Sequence, residues 1–414
     1  MKAISTPSQP PRDVRDAEDL LEAVQSAVAA KTTIDLRGSG RHLERGRPVH
    51  ADQIVNLAPM SGIVTYEPDE LVLIAKAATP LSDILKTLDD AGQMLAFDPP
   101  LGALNPEEAK GTLGGVMATN LAGPRRLVAG AARDYLLGFQ AISGRGEQFQ
   151  SGSRVMKNVT GYDLSKLMVG SYGTLAVMHE VTIKTMPKPE YGVSLIVKAR
   201  DLENAGAAMR AAFASPHEPT AGAIIPVQTS IYSKVKKIND MGQQSVLVVI
   251  RIEGFKVSVK DRMKAISDLL KPYGEQLTLT EKESDTLQAE LREVTLLPEQ
   301  KNRVLWKISC PPHQGAGLME KILARPHCRA YADWAGGLIW VSHPAGHDGG
   351  AGPLRELLTA TGGHATLVSA PQSMRETTDV FHPQPQALQD LTRRVKASFD
   401  PLGILNPGRM YEGI

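Results

Sequence analysis

Cysteine is nearly absent from this 414-residue chain: Cys310 and Cys328 are the only two, and they form no Cys-x-x-Cys pair. Two thiolates cannot hold an iron–sulfur cluster that takes four, so both read as buried, reduced thiols. Charge of one sign is lacking too. The formal net charge of +1 leaves no electrostatic footprint for nucleic acid or an anionic membrane. No apolar run is long enough to span a bilayer, and Met1–Pro11 is polar with no apolar core of a secretory signal. The expectation is a cytoplasmic protein. The histidines are scattered, and the one close pair, His343-Pro-Ala-Gly-His347, has a Pro-Gly interior unsuited to a metal site. Both standard nucleotide fingerprints are missing. Gly-x-Gly-x-x-Gly fails because position 43 is leucine, and no Gly-x-x-x-x-Gly-Lys-[Ser/Thr] occurs.

Glycine, by contrast, is clustered. Gly38/Gly40, Gly111 to Gly123, Gly152 to Gly161 and Gly170/Gly173 all fall in the first half. The richest stretch, Gly111 to Arg126, reads as a phosphate cradle or as a glycine-rich turn packed on a strand. Several separated loops converging on one long ligand, such as a dinucleotide, fit this distribution.

Length implies two domains. Asp16 caps a helix whose Leu20, Leu21, Val24, Ala27 and Val28 share one face. Extended runs at Thr32–Leu36, Gln53–Leu57, Gly62–Tyr66 and Leu71–Ala77 follow, then a helix opened by Thr79-Pro80 with proline in its first position. Leu81, Ile84, Leu85 and Leu88 form its buried stripe, and Gly92 stops it. Leu136–Ile142 and Glu147–Gln150 read as a hairpin, and Thr174–Met186 as a strand. Met186-Pro-Lys-Pro189 breaks the pattern and marks a domain boundary. Beyond it a β-α-β-β-α order runs from Val193 to Lys271, the charged stretch Thr278–Gln300 reads as a helix or crossing, and the same order recurs from Val304 to Val368. Two such halves suggest a duplicated ferredoxin-like α+β domain, although no residue identity links them.

Six motifs stand in order: Thr112-Leu-Gly-Gly115, Asn120-Leu-Ala-Gly-Pro-Arg-Arg126, Ala132-Arg-Asp-Tyr-Leu-Leu-Gly138, Val155-Met-Lys-Asn-Val-Thr-Gly-Tyr-Asp163, Gly170-Ser-Tyr-Gly-Thr-Leu175 and Phe399-Asp-Pro-Leu-Gly-Ile-Leu-Asn-Pro-Gly-Arg409. Together they make the chain resemble the FAD-binding E subunits of bacterial glycolate oxidase (glycolate dehydrogenase), of the vanillyl-alcohol-oxidase type. The resemblance is dense from about Ile34 to Pro189 and over the last thirty or so residues. It implies an α+β fold: a PCMH-type two-part FAD domain over 1–188, a ferredoxin-like cap over 189–394, and a tail over 395–414 returning to the FAD domain.

The resemblance also implies roles. Gly38, Ser39 and Gly40 would meet the FAD pyrophosphate. Thr112, Gly114, Gly115 and Asn120 would lie along the pyrophosphate and flavin edge, with Gly123 and Arg126 flanking them. Gly173, Thr174 and Val177 would lie near the adenosine end, and Asn406 and Arg409 would approach the flavin. The first loop is less glycine-rich than in related flavoproteins, which puts its pyrophosphate grip in question. His42 stands beyond the usual covalent attachment position, so FAD is expected to be non-covalent. No catalytic residue stands out among His343, His347, His364 and His382. A second FAD-binding flavoprotein subunit, the D subunit, is the expected home of substrate oxidation, with an iron–sulfur subunit carrying electrons onward. The resemblance thus implies a share in oxidising a small 2-hydroxy acid, glycolate, to glyoxylate, within a complex through which the chain would meet a membrane. The alternatives are a self-sufficient D-lactate-like dehydrogenase and a scaffold that has lost its flavin.

Overall fold

A computed structural model describes residues 10–41, 43–104, 106–152, 162–298 and 300–414. His42 and most of the Val155–Asp163 motif lie outside them. The chain divides into two compact units, the first comprising Met1–Ala122, Gly130–Pro187 and Asp379–Ile414, the second Gly123–Ala129 and Lys188–Thr378.

In the first unit, helix Ala17–Ala30 starts where Asp16 accepts the amides of Glu18 and Asp19, each at 2.9 Å. Its buried Leu20, Ala23, Val24 and Ala27 pack on Ile34, Val55, Ile142 and Val177. Strands Arg12–Asp13, Gln53–Asn56 and Ile34–Arg37 form a small parallel sheet in that order. A second, antiparallel sheet runs Ile63–Glu67, Val72–Lys76, Ala176–Lys184, Leu136–Ser143, Gln148–Gly152. Pro80 is the N-cap of helix Leu81–Asp90 rather than its first residue, with Leu81, Ile84 and Leu88 buried beneath.

The second unit is built on one eight-stranded antiparallel sheet. Its spatial order is Glu275–Thr278, Tyr191–Ala199, Val246–Gly254, Ala221–Ile225, Arg329–Asp333, Leu338–Pro344, Arg303–Ser309, His364–Ser369. Each half follows β-α-β-β-α-β with its first strand central, and the halves meet at Ile224 opposite Ala332. This is the ferredoxin-like order twice over. The duplication therefore lies in the topology. The fourth strand of the first half, Glu275–Thr278, escaped the sequence reading because it is a short, half-exposed edge. The charged stretch after it is helix Glu281–Glu293, closed by a Thr280/Glu283 capping box.

Two details differ from the expected boundaries. The return to the first unit begins at Asp379, not 395, and takes helix Gln386–Phe399 with it. Gly123–Ala129 packs with the second unit although sequence neighbours on both sides belong to the first. Its Gly123 carbonyl and Arg125 find their partners there: Trp334 Nε1 donates to Gly123 at 2.9 Å, and Arg125 pairs with Glu253 at 2.5 Å.

Candidate FAD-binding groove

A groove with about 850 Å³ of empty space opens in the first unit. Its floor begins where strand Ile34–Arg37 ends and Gly38-Ser39-Gly40-Arg41 turns, Gly40 with a left-handed φ of 77°. Among the described residues, the amides of Gly38, Ser39, Gly40 and Arg41 donate to no protein acceptor. A run of successive unpaired N–H groups beside a groove is a nest for an anion. An added Cβ on Gly38 would stand 3.3 Å from Thr112 Oγ1, so the loop lies close against the opposite wall.

That wall is helix Leu113–Thr119, whose glycines line the groove with their amides already engaged. The amides of Leu113, Gly114 and Gly115 donate to Thr79 O, Ala77 O and Thr112 Oγ1. None of the three is left for a phosphate. Gly114 instead permits close packing, because a Cβ there would fall 2.8 Å from both the Cβ and the carbonyl oxygen of Ala77. Ala77, Gly114, Gly115, Ala118 and Ala176 line the groove with small side chains, which leaves room for a ring system.

The C-terminal tail closes the groove. Ile34 N donates to Ile404 O at 2.7 Å and Asn406 N to Ile34 O at 2.9 Å, laying the tail beside strand Ile34–Arg37. Asn406 then joins strand Ile34–Arg37 to the loop at Tyr172. Its Oδ1 accepts from Leu36 N and its Nδ2 donates to Tyr172 O, both at 2.8 Å. Gly173 sits at φ 70°, strained for any side chain, and a Cβ there would lie 2.8 Å from the end of the Asn406 side chain at Nδ2. The tail is anchored by Lys396, whose Nζ donates to Thr174 O and Asp400 Oδ2 at 2.6 Å and to Leu405 O at 3.1 Å. Asp400 accepts in turn from Ile404 N and Leu405 N.

Electrostatics favour an anionic ligand. Arg37, Arg41 and Arg409 line the groove, and Arg37 is tied to Asp35 at 2.7 Å. Tyr172, in the left-handed region at φ 55°, has its phenol pushed up by burial, with Arg45 and Arg409 opposing the shift. No carboxylate, histidine or cysteine lines the groove among the described residues. The cysteines lie in the second unit, where burial pushes the Cys310 thiol up to about 11.

Gly38, Ser39, Gly40, Thr112, Gly114, Gly115, Gly173, Val177, Asn406 and Arg409 thus line one groove. Thr174 stands behind it, 1% exposed, giving its carbonyl to Lys396. Asn120 caps the wall helix at φ 50° and accepts from Arg133 N at 3.3 Å. Gly123 and Arg126 belong to the second unit, where Arg126 lies over Trp334. Sequence reasoning missed Arg41, Ala77, Tyr172 and Met178. Only Tyr172, beside Gly173 in a recognised motif, carried a signal.

The groove fits an extended, doubly charged dinucleotide: an amide nest and arginines for a pyrophosphate, and a small-residue wall for a flat ring. A family model described as an FAD binding domain matches residues 13–152, and the cofactor is FAD. The fold is that of 4-ethylphenol oxidase from Gulosibacter chungangensis, 14% identical, with a TM-score of 0.71 over 96% of this chain and 88% of that one. Glycolate oxidase subunit GlcD of Bacillus subtilis (strain 168) is 28% identical over 46% of this chain and 40% of its own length. Glycolate oxidase subunit GlcE of Escherichia coli (strain K12) is 34% identical over 97% of this chain and 99% of its own. With similarity running through both units and the returning tail, the chain belongs to the GlcE family of FAD-dependent oxidoreductases.

Proposed function

We propose that the chain is the FAD subunit of a heteromeric glycolate dehydrogenase and takes part in the two-electron oxidation of glycolate to glyoxylate. The observation that carries this reading is similarity to GlcE along nearly the whole of both chains, tail included. FAD is held without a covalent bond. The amides of Gly38, Ser39, Gly40 and Arg41 take the pyrophosphate, and Arg409 offsets negative charge at the groove wall. Thr112, Gly114, Gly115, Gly173, Val177 and Asn406 shape the walls, with Asn120 and Thr174 supporting them from behind. When bound, FAD supplies the acceptor for the hydride lost from the hydroxyl-bearing carbon. The hydroxyl proton needs a base, and the groove offers none among its described lining residues.

That division fits a complex. A second FAD-binding flavoprotein subunit completes substrate oxidation, and an iron–sulfur subunit carries the electrons away. No helix among the described residues is long and apolar enough to cross a membrane. We assign the complex to the cytoplasm, with any membrane contact made through its other subunits. Denaturing the purified chain should release FAD; a colourless protein defeats the reading. Dye-coupled glycolate oxidation should appear only after the partner subunits are added. Full activity of the lone chain would establish the self-sufficient dehydrogenase instead.

A further inference from the structure

Tyr172 is strained at a position that glycine would fill without strain. It stands at φ 55° between Gly170 and Gly173, which adopt 88° and 70°. A bulky side chain in the left-handed region is an outlier, and such strain persists where the surroundings over-determine it, often at ligand sites. Three contacts fix the residue here. Tyr172 N donates to Ala118 O at 2.9 Å, and its carbonyl accepts from Asn406 Nδ2 at 2.8 Å. Its ring meets that of Phe381 edge-on, with centroids 5.1 Å apart.

None of the three uses the hydroxyl, and phenylalanine would make them all. Among the described residues, the Tyr172 hydroxyl has no hydrogen-bond partner. Nor is it sealed into the core: the Tyr66 hydroxyl is buried without a partner, whereas that of Tyr172 is not so enclosed. Tyr172 is half-buried and lines the groove. Asn406 ties it to Leu36, two residues before the amides of Gly38 to Arg41 begin. The charges acting on its phenol are those of Arg45 and Arg409, so it stands in the part of the groove suited to an anion. Burial keeps the phenol neutral, and a neutral phenol can donate.

We propose that the Tyr172 hydroxyl donates a hydrogen bond to the diphosphate of FAD, adding a side-chain donor to the amides of Gly38 to Arg41. The ring contact with Phe381 and the two backbone bonds then serve to hold that hydroxyl in place. A donor fixed before the ligand arrives loses little freedom on binding, which is what the strained backbone secures. The inference rests on FAD as the cofactor and is independent of which hydroxy acid is oxidised.

The test is titration of the full chain, stripped of FAD, with FAD itself, followed by flavin fluorescence. Tyr172→Phe keeps the ring and removes only the hydroxyl. It should weaken FAD about tenfold or more, as expected for losing a hydrogen bond to a charged group. ADP, which carries the diphosphate without the flavin, should lose the same factor as a competitor. The absorption maxima and midpoint potential of bound FAD should stay where they are, because the hydroxyl acts away from the flavin ring. Any unfolding of the variant lowers the number of sites in the titration, whereas the lost bond changes the Kd of the sites that remain. Wild-type FAD affinity in Tyr172→Phe, a loss for FAD that ADP does not share, or a shifted potential at unchanged affinity would each overturn the proposal. None of these outcomes bears on the glycolate reading, which the partner-dependent assay decides separately.

Discussion

Lys396 and Asp400 form a buried ion pair at 2.6 Å, with side chains 6% and 0% exposed, one turn apart on the returning C-terminal segment. Burial draws the Lys396 ammonium below its usual range, and the Asp400 carboxylate opposes that shift. The pair does more than satisfy itself. Lys396 also reaches the Thr174 carbonyl and Asp400 the Ile404 and Leu405 amides, so one cluster joins the tail to the loop behind the groove.

Removing one partner leaves the other charged and buried. Lys396→Met or Asp400→Leu alone should destabilise the protein by about 3–5 kcal/mol. The double variant should recover much of that loss. Thermal unfolding of the FAD-free chain measures both, and a single variant with an unchanged midpoint would contradict the buried-pair assignment.

Asn406 holds Leu36 and Tyr172 at once, and its own φ of 42° suits asparagine. Asn406→Ala should cost about 1–3 kcal/mol by stranding the Leu36 amide and the Tyr172 carbonyl. It should also weaken FAD retention, because Leu36 and Tyr172 both line the groove. Flavin content after gel filtration at graded dilution reads this directly; wild-type retention would mean the bridge is dispensable.

Gly114 and Gly173 are predicted to fail for different reasons. Gly114→Ala drives a methyl into the Ala77 backbone and must displace the wall helix. Gly173→Ala meets the end of the Asn406 side chain but also demands an alanine at φ 70°. The second should cost roughly 1–2 kcal/mol from backbone strain alone. Both should lower FAD affinity, and an alanine tolerated at Gly114 with full flavin content would refute the close-packing role.

His179 is 2% exposed, and neither ring nitrogen has a hydrogen-bond partner among the described residues. Burial, reinforced by Lys76, holds it below the ordinary value of 6.5. The unfolded chain therefore takes up the proton first. This group's share of stability is complete above about pH 6.5 and falls as pH drops below it, levelling off once the folded histidine protonates. His179→Phe should flatten that part of the acid decline and be near neutral or stabilising at pH 7.5. Denaturant midpoints across pH 5–8 test it, and an identical pH profile in the variant would exclude His179 as the source.

The sequence by itself determined what depends on near neighbours. Helix Ala17–Ala30 was legible because Asp16 and a single apolar face are local signals, and the hairpin after Leu136 because its turn residues are. The ordered motifs likewise announced a flavoprotein before any contact was known. Tertiary structure decided what depends on chain closure. Gly111 to Arg126 looked like one phosphate cradle, yet it divides between two units: its first amides are consumed by Thr79, Ala77 and Thr112, and its last residues turn to Trp334 and Glu253. Amides without a protein acceptor among the described residues lie at Gly38 to Arg41, the loop whose sequence seemed weakest. Whether a backbone N–H is free depends on carbonyls brought close from elsewhere in the chain, and no local pattern encodes them. The same holds for Asn406, whose two partners lie hundreds of residues away and meet only because the tail comes back.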